Sequence, residues 1–411
     1  MKILVLTSRF PCPPLGGDRL RVYHLLRVLG RDHQITLLSL SSEDVPDAAI
    51  HELKTVVEHI EVVQLSTASS FVNCSRALFS KKPIQTHYYQ SAQFEARVKH
   101  YLNSNKFELV LAHLIRTADY ALLAAGIPKI LDLTDALSLN YDRAIQFGNP
   151  LHLQAMAQRV ERKRVRRYEQ RMLPLFDRGL IISPVDRNYL NRYVATDNVV
   201  TVGAGVDLDY FTPAQEPVQK NSIVFLGKLS TTPNRDAVLY FAEAIFPLIQ
   251  GQIKDARLNI VGIEPGRDVL KLDKHAGINV VGPVADCRPF LQRATLSVCP
   301  MRAGAGAKNK VLESMAAGTP VVATTIGAEG LDLQPEKHIR IADEPQVFAD
   351  MVVELMRNPE LRASFSHAGR AIVEEKFSWE SVLNDLRLLV DSFDKAHRPQ
   401  PNRANHHQNM Q

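Results

Sequence analysis

The sequence predicts an α/β protein built from two Rossmann-like, parallel-sheet domains that face each other across a cleft. Three observations carry this expectation. Apolar runs of strand length alternate with helix-period segments through both halves of the 411-residue chain. The alternation is interrupted once, at 203–220, by a stretch holding glycines, two prolines and a polar run. A glycine-rich loop follows an apolar strand in each half. Strands that alternate with helices imply parallel sheets. Ligands of such sheets bind beyond the carboxyl ends of the strands, so the two glycine loops would share one cleft.

In chain order, the first half offers strands at Lys2–Thr7, Gln34–Leu40, Glu61–Leu65, Phe107–His113, Pro128–Thr134, Gly179–Ser183 and Val199–Val202. The second half repeats the scheme at Ser222–Gly227, Arg257–Gly262, Ile278–Gly282, Thr295–Pro300, Pro320–Thr324 and His338–Ile341. The expected division is 1–205 and 206–377, with a helical pattern at 378–396. Residues 397–411 are polar with almost nothing to bury, so a disordered tail is expected there. His406-His407 within it is too short a run to read as a metal site.

Composition bounds the function. Apolar residues make up 45% and charged residues 23% of the chain, ordinary values for a globular protein of two or three domains. The longest apolar run, near Tyr120 to Leu131, is broken by Gly126 and Pro128, which argues against a transmembrane helix. The opening Met1 to Arg9 is too soon polar for a signal peptide. Four scattered cysteines show no paired or metal-like spacing and suit a reduced, cytoplasmic setting. The net charge of +5 is mild. Its one concentration, Arg159 to Arg171, holds seven basic residues and two acids in a helical stretch. A solvated helix face is the default there. The other reading is contact with anionic lipid, at about 1 kcal/mol per basic residue near the surface. No aromatic platform accompanies the charge, so nucleic acid is not an expected partner.

The chemistry concentrates in the stretch from Gly304 to Thr324 (GAGAKNKVLESMAAGTPVVAT). Small residues at Gly304 and Gly306 let backbone amides approach a ligand. Lys308 and Lys310 stand where a helix begins, and positive charge there opposes the helix dipole unless an anion is bound. Loop, helix start and lysines together make a phosphate or diphosphate site. Glu313 follows within two turns, placed to accept hydrogen bonds from sugar hydroxyls. Lys228 follows a glycine at a strand end. In the first half, Gly16-Gly17 lies between the first strand and a helix beginning near Asp18. It is not Gly-x-Gly-x-x-Gly, so a nicotinamide fingerprint is not supported.

These stretches resemble glycosyltransferase family 4. The glycine-rich loop followed by lysine-x-x-Glu-x-Met-Ala-x-Gly-x-Pro-Val-Val looks like its donor-binding signature. Ser8 to Arg21 resembles its first glycine-rich loop, Gly205-Val206-Asp207 with Phe211 and Pro213 its interdomain stretch, and Phe225 to Leu229 the strand that opens its second domain. The resemblance implies the GT-B fold, a retaining transferase, and a last helix that crosses back to the first domain. It gives the donor phosphates to Gly16, Gly17, Lys228, Gly304, Gly306, Lys308 and Lys310, and the donor ribose to Glu313. The first loop and the Lys308-to-Glu313 segment are similar to a subgroup tied to bacterial exopolysaccharide and exosortase loci.

The chain departs from the family in three places. The first acid of the family's Glu-x7-Glu falls on Ala305. A second basic residue after Lys228 is replaced by Ser230 to Asp236, where Arg235 is the candidate substitute. The family's histidine after the strand at 128–134 is absent. The catalytic candidates there are Asp135 and Asp132, which are equally well read as helix caps, and His113, equally well read as a core histidine. Asp207-Leu208-Asp209 matches a metal-binding spacing of other transferases but sits in the linker, so no metal and no cofactor is expected. The resulting expectation is a metal-independent glycosyltransferase moving a sugar from a nucleoside-diphosphate donor to a glycan or lipid-linked acceptor. It would be cytoplasmic or peripheral on the inner face of the plasma membrane, in surface or exopolysaccharide synthesis. A nucleotide-sugar epimerase on the same scaffold and a non-catalytic nucleotide-sugar binder are the alternatives.

Overall fold

The computed structural model describes residues 1–397 apart from 15, 78, 148–152, 195–196 and 214–216, so the tail beyond 397, with His406 and His407, lies outside the described residues. The first sheet contains β1 (Lys2–Thr7), β2 (Gln34–Ser41), β3 (His59–Gln64), β4 (Leu109–His113), β5 (Lys129–Thr134), β6 (Arg178–Ile181) and β7 (Val199–Thr201). The second contains β8 (Ser222–Leu226), β9 (Arg257–Val261), β10 (Ile278–Gly282), β11 (Leu296–Cys299), β12 (Val321–Ala323) and β13 (Arg340–Ile341). Their spatial orders are β3-β2-β1-β4-β5-β6-β7 and β10-β9-β8-β11-β12-β13, and the pairings between neighbouring strands are parallel. These are two doubly wound sheets, as the alternating pattern predicts.

The strands read as continuous apolar runs because helices cover both faces of each sheet. Ile3, Leu4, Val5 and Leu6 are fully buried, as are Leu109, Val110, Leu111 and Ala112 beside them. Each predicted strand is present, some a residue or two shorter than the apolar run. At the start of β11, Thr295 N–H donates to Ser222 O, but Ser222 N–H is taken by the Thr295 hydroxyl, which in turn donates to Gln219 O.

Strand order reverses at β1/β4 in the first sheet and at β8/β11 in the second. Such reversals open a crevice at the carboxyl ends. The Gly16-Gly17 loop follows β1, His113 ends β4, Lys228 follows β8, and the Gly304–Lys308 loop follows β11. Topology alone therefore brings the candidate residues to the facing edges of two sheets.

The helix Trp379–His397 returns to the first domain. Its Trp379 ring stacks on His24, 4.6 Å between centroids, and Leu383, Leu386 and Val390 are buried with Val22, Leu26 and Leu29 of the first helix, Gly17–Leu29. Each such buried side chain contributes about 1.5–3 kcal/mol, which makes this helix a strap between the domains.

Candidate active site

The second-domain face is built around the helix Asn309–Ala316, which begins without a side-chain cap on Lys308 and leaves its first amides for another acceptor. Lys310, in its first turn, donates to Asn234 Oδ1 at 2.6 Å and lies 4.3 Å from the centroid of the Phe225 ring. Burial lowers the Lys310 ammonium to about 8, against the opposing influence of Cys299 and Glu313. Burial likewise raises Glu313 to about 7, although Lys310 draws it back. The Glu313 carboxyl has no hydrogen-bond partner among the described residues, and Cys287 stands within its electrostatic reach. A half-buried carboxyl and a half-buried ammonium three residues apart are thus held near their neutral–charged transition. An added Cβ on Gly227 would meet the Asn234 amide at 2.9 Å and Lys310 Nζ at 3.1 Å, so a larger residue where β8 ends would push these two side chains aside. Lys228 points elsewhere: its ammonium pairs with Glu264 Oε1 at 2.9 Å on the surface, beside Ser230.

The glycine loop after β11 is turned toward the first domain. Ala305 N–H donates to Asn140 Oδ1 and Gly306 N–H to Asp186 Oδ2, each at 3.0 Å. Arg143 donates to Gly304 O at 2.6 Å and forms a two-pronged ion pair with Glu329, with Nη1–Oε1 2.6 Å and Nη2–Oε2 2.8 Å. Lys308 is buried and folds back to donate to the carbonyls of Ala305 and Gly306. Burial lowers its ammonium from the usual lysine range. Gly306 takes φ +67°, and a Cβ there would press on the Asp135 Cβ at 3.2 Å. Lys308 and the amides of Ala305 and Gly306 therefore shape the loop and dock it, while the uncapped helix start carries the free donors.

On the first-domain face, Gly16 caps the helix Gly17–Leu29, and a Cβ on Gly17 would lie 3.6 Å from the Asn309 side-chain amide. The two glycine loops do meet in one cleft. Asp132 is fully buried and accepts from Arg21 Nε at 2.9 Å and pairs with His113 Nδ1 at 3.1 Å. Burial opposes its ionisation, but the Arg21 guanidinium and His113 outweigh it and hold the carboxyl well below the usual range. Arg21 also donates to Val202 O and Gly203 O. At 1% exposure Arg21 is enclosed and serves as the counter-ion of Asp132. His113 Nε2 is buried without a hydrogen-bond partner. Asp135 accepts from Asn140, and burial with the neighbouring Asp186 raises it to about 7 against the pull of Lys308.

Comparison with known proteins decides what kind of domain holds this cleft. Residues 220–358 match the family Glycosyl transferases group 1. The second domain belongs to that family. The phosphatidyl-myo-inositol mannosyltransferase of Mycobacterium tuberculosis is 27% identical over 230 residues, covering 52% of this chain and 59% of the relative. An uncharacterized 44.6 kDa protein in the cps region of Klebsiella pneumoniae is 20% identical over 209 residues, covering 47% and 54%. The chain thus spans little more than half the length of the curated relatives it matches. Among solved structures, sucrose-phosphate synthase from Thermosynechococcus elongatus superimposes with a TM-score of 0.71 at 16% identity, covering 96% of this chain and 100% of that one. Anabaena Alr3699/HepE in complex with UDP-glucose gives 0.66 at 14%, covering 95% and 100%. These likenesses establish the two-domain GT-B fold.

Within this glycosyltransferase domain and its partner, several groups escaped the sequence reading. Asn234, Asn140, Arg143, Asp186 and Glu329 all shape the cleft, and each is a common polar residue with no local motif. Asp186 sits in the first turn of a helix opened by Ser183-Pro184, where an acid looks like an ordinary dipole partner. Arg235, the candidate for the family's second basic residue, is paired with Asp268 at 2.6 Å. Asp207 accepts from the amides of Asp209 and Tyr210 and so holds a turn.

Proposed function

We propose that the chain transfers a sugar, with retention at the anomeric carbon, from a nucleoside-diphosphate donor to a glycan or lipid-linked acceptor. The observation that carries this reading is the uncapped start of the helix Asn309–Ala316, with Lys310 and Glu313 on its first two turns, facing the Gly16-Gly17 loop across the cleft. The free amides and Lys310 take the diphosphate, Gly16 and Gly17 close over its distal phosphate, and Glu313 accepts from the ribose hydroxyls. Lys308 with Gly304 and Gly306 keeps the loop in shape. Lys228 would reach the donor by leaving Glu264.

In the reaction, the bond from the anomeric carbon to the phosphate oxygen breaks and the acceptor oxygen bonds the same face of that carbon. The acceptor proton passes to the departing diphosphate. Fixed positive groups stabilise the growing charge without a metal; losing one such donor typically lowers rate 10²–10³-fold. His113, held by Asp132 through Nδ1 and with Nε2 left unpartnered, is the candidate group toward the donor sugar, and Asp135, pushed toward neutrality, stands by as a proton-holding group. The likeness to a phosphatidyl-myo-inositol mannosyltransferase and to a protein of a cps region favours a lipid or surface polysaccharide acceptor. Contact with an anionic membrane surface through Arg159–Arg171 belongs to the same reading, as does a cytoplasmic location on the inner face of the membrane. No helix among the described residues is long and apolar enough to cross a membrane.

The test is mass analysis of products after incubation with nucleotide sugars, with and without acceptor extracts, in excess chelator. Transfer that requires acceptor and survives EDTA supports the reading. An epimerised donor without acceptor, an intact donor, or activity that returns only with Mn²⁺ or Mg²⁺ would overturn it.

A further inference from the structure

The helix Thr67–Ala77 and the loop after it carry the most exposed aromatic side chains of the described residues. Phe71 is 80% exposed, Val72 49% and Phe79 96%. Val72 and Arg76, four apart, share one face of the helix, Phe71 is exposed beside Val72, and Phe79 stands exposed two residues past the helix end. Ser70 and Ala77 are buried on the opposite side. Large apolar groups arranged this way on a helix surface mark an interaction site.

The charge around this patch has one sign. Between Glu61 and Glu95 the sequence contains no aspartate or glutamate, while Arg76, Lys81 and Lys82 are basic. The helix Leu153–Met172 packs beside this segment, because its Glu161 accepts from Ile84 N–H. Its two acids, Glu161 and Glu169, are buried, at 6% and 1% exposure. Arg159, Lys163 and Arg167 are exposed. The nearby acids that remain are engaged: Asp119 holds Lys82 and lies 4.0 Å from Arg171, and Asp142 holds Arg162. What faces outward is therefore aromatic, aliphatic and cationic.

We propose that this patch is a membrane-insertion surface: Phe71, Val72 and Phe79 enter an anionic bilayer, and the basic residues of both helices bind its headgroups. This moves the membrane contact from the charge of Arg159–Arg171 alone to an apolar anchor flanked by charge, the pattern of an interfacial helix. A bilayer fits better than a protein partner because the cations surround the apolar groups without any exposed acid to set a register. The surface also leads to the cleft. Ile84 and Gln85 are adjacent, and Gln85 accepts from Arg116, which stacks 4.9 Å from the Tyr89 ring centroid and lies 4.0 Å from Asp18 beside the Gly16-Gly17 loop. Docking on this face brings the first-domain rim of the cleft to the bilayer, where a lipid-linked acceptor would enter.

The proposal rests on the membrane contact in the reading above, and it is tested without donor or turnover, so its failure leaves sugar transfer untouched. The full chain is sedimented with vesicles of phosphatidylcholine alone or mixed with phosphatidylglycerol. Binding is expected to the mixed vesicles only. Phe71→Ser with Phe79→Ser should weaken it at least tenfold, roughly the effect of losing one buried aromatic side chain. Arg159→Ser with Lys163→Ser should weaken it most at low salt. As a second readout, Phe79→Trp should shift its emission to the blue on mixed vesicles; the chain's one natural tryptophan, Trp379, is buried and gives a constant background. Equal binding by wild type and the phenylalanine variant, an unmoved Phe79→Trp emission, or a concentration-dependent dimer that the phenylalanine variant abolishes would overturn the assignment.

Discussion

The two faces of the cleft hold their charged groups in opposite ways. On the second-domain face, Lys310 and Glu313 come from one helix, three residues apart, and burial holds both near the point of losing charge. On the first-domain face, Arg21, His113 and Asp132 come from a helix and two strands. Arg21 and Asp132 are 111 residues apart in sequence and are charge-paired and fully enclosed. A group held short of its counter-charge is ready for a ligand; a group already paired is part of the scaffold. The lesson is that acids at strand ends divide by what neutralises them, not by where they stand.

The comparison breaks most visibly at Asp132. Replacing it with alanine strands the Arg21 guanidinium in the interior, and an unpaired buried charge of this kind costs about 3–5 kcal/mol. Urea unfolding should register that loss. Glu313→Gln, by contrast, should unfold within about 0.5 kcal/mol of wild type. Equal stability losses in both variants would erase the distinction between scaffold and site.

The next effect is on binding. Lys310→Met should weaken nucleoside diphosphate by roughly 10- to 150-fold, the range of a charged hydrogen bond at about 1.5–3 kcal/mol. Glu313→Gln should weaken it within the same range at pH 8. A donor lacking the ribose hydroxyls should bind wild type poorly and lose little further in Glu313→Gln. If that donor loses as much affinity in the variant as the normal donor does, Glu313 does not touch the ribose.

The pH dependence sharpens the same point. Diphosphate needs the Lys310 ammonium, which is lost as pH rises past about 8, and ribose needs the Glu313 carboxylate, which is lost as pH falls below about 7. Affinity should therefore peak between those values, with limbs that belong to the coupled pair. Lys310→Met should flatten the alkaline limb and Glu313→Gln the acid limb in calorimetric titrations across pH. A flat profile in wild type would count against both roles.

The fold was legible because its signal is local. Each of the strands lies where an apolar run stands, and β1 begins and ends where the run Lys2–Thr7 does. The second-domain face was legible for the same reason, since Gly304 to Glu313 is one contiguous segment. The first-domain face was not. Asp135 and Asp132 look alike as acids near the end of one strand, and only the fold shows that Arg21 claims one while Asp186 and Lys308 surround the other. The docking of the glycine loop by Asn140, Arg143 and Asp186 joins residues 120 or more apart in sequence, for which no spacing rule exists. The smallest expected effect tests that docking. Asp186→Asn keeps the shape but removes the charge, weakening the bond to Gly306 by about 0.5–1.5 kcal/mol. Amide exchange at Ala305 and Gly306 should quicken while exchange in β11 stays unchanged. No change at these amides would mean the loop holds its place without the first domain.

The uncapped helix start and Lys310 together form the proposed diphosphate site. A thermal-shift titration with a panel of nucleoside diphosphates, run on wild type and Lys310→Met side by side, examines it in one measurement. A ligand that binds only the folded state stabilises it by about 2.7 kcal/mol at a hundred times its dissociation constant. The account predicts that at least one nucleoside diphosphate raises the wild-type midpoint and that Lys310→Met, folded and equally stable alone, loses most of that rise. No rise with any nucleoside diphosphate, or the same rise in both proteins, would contradict it.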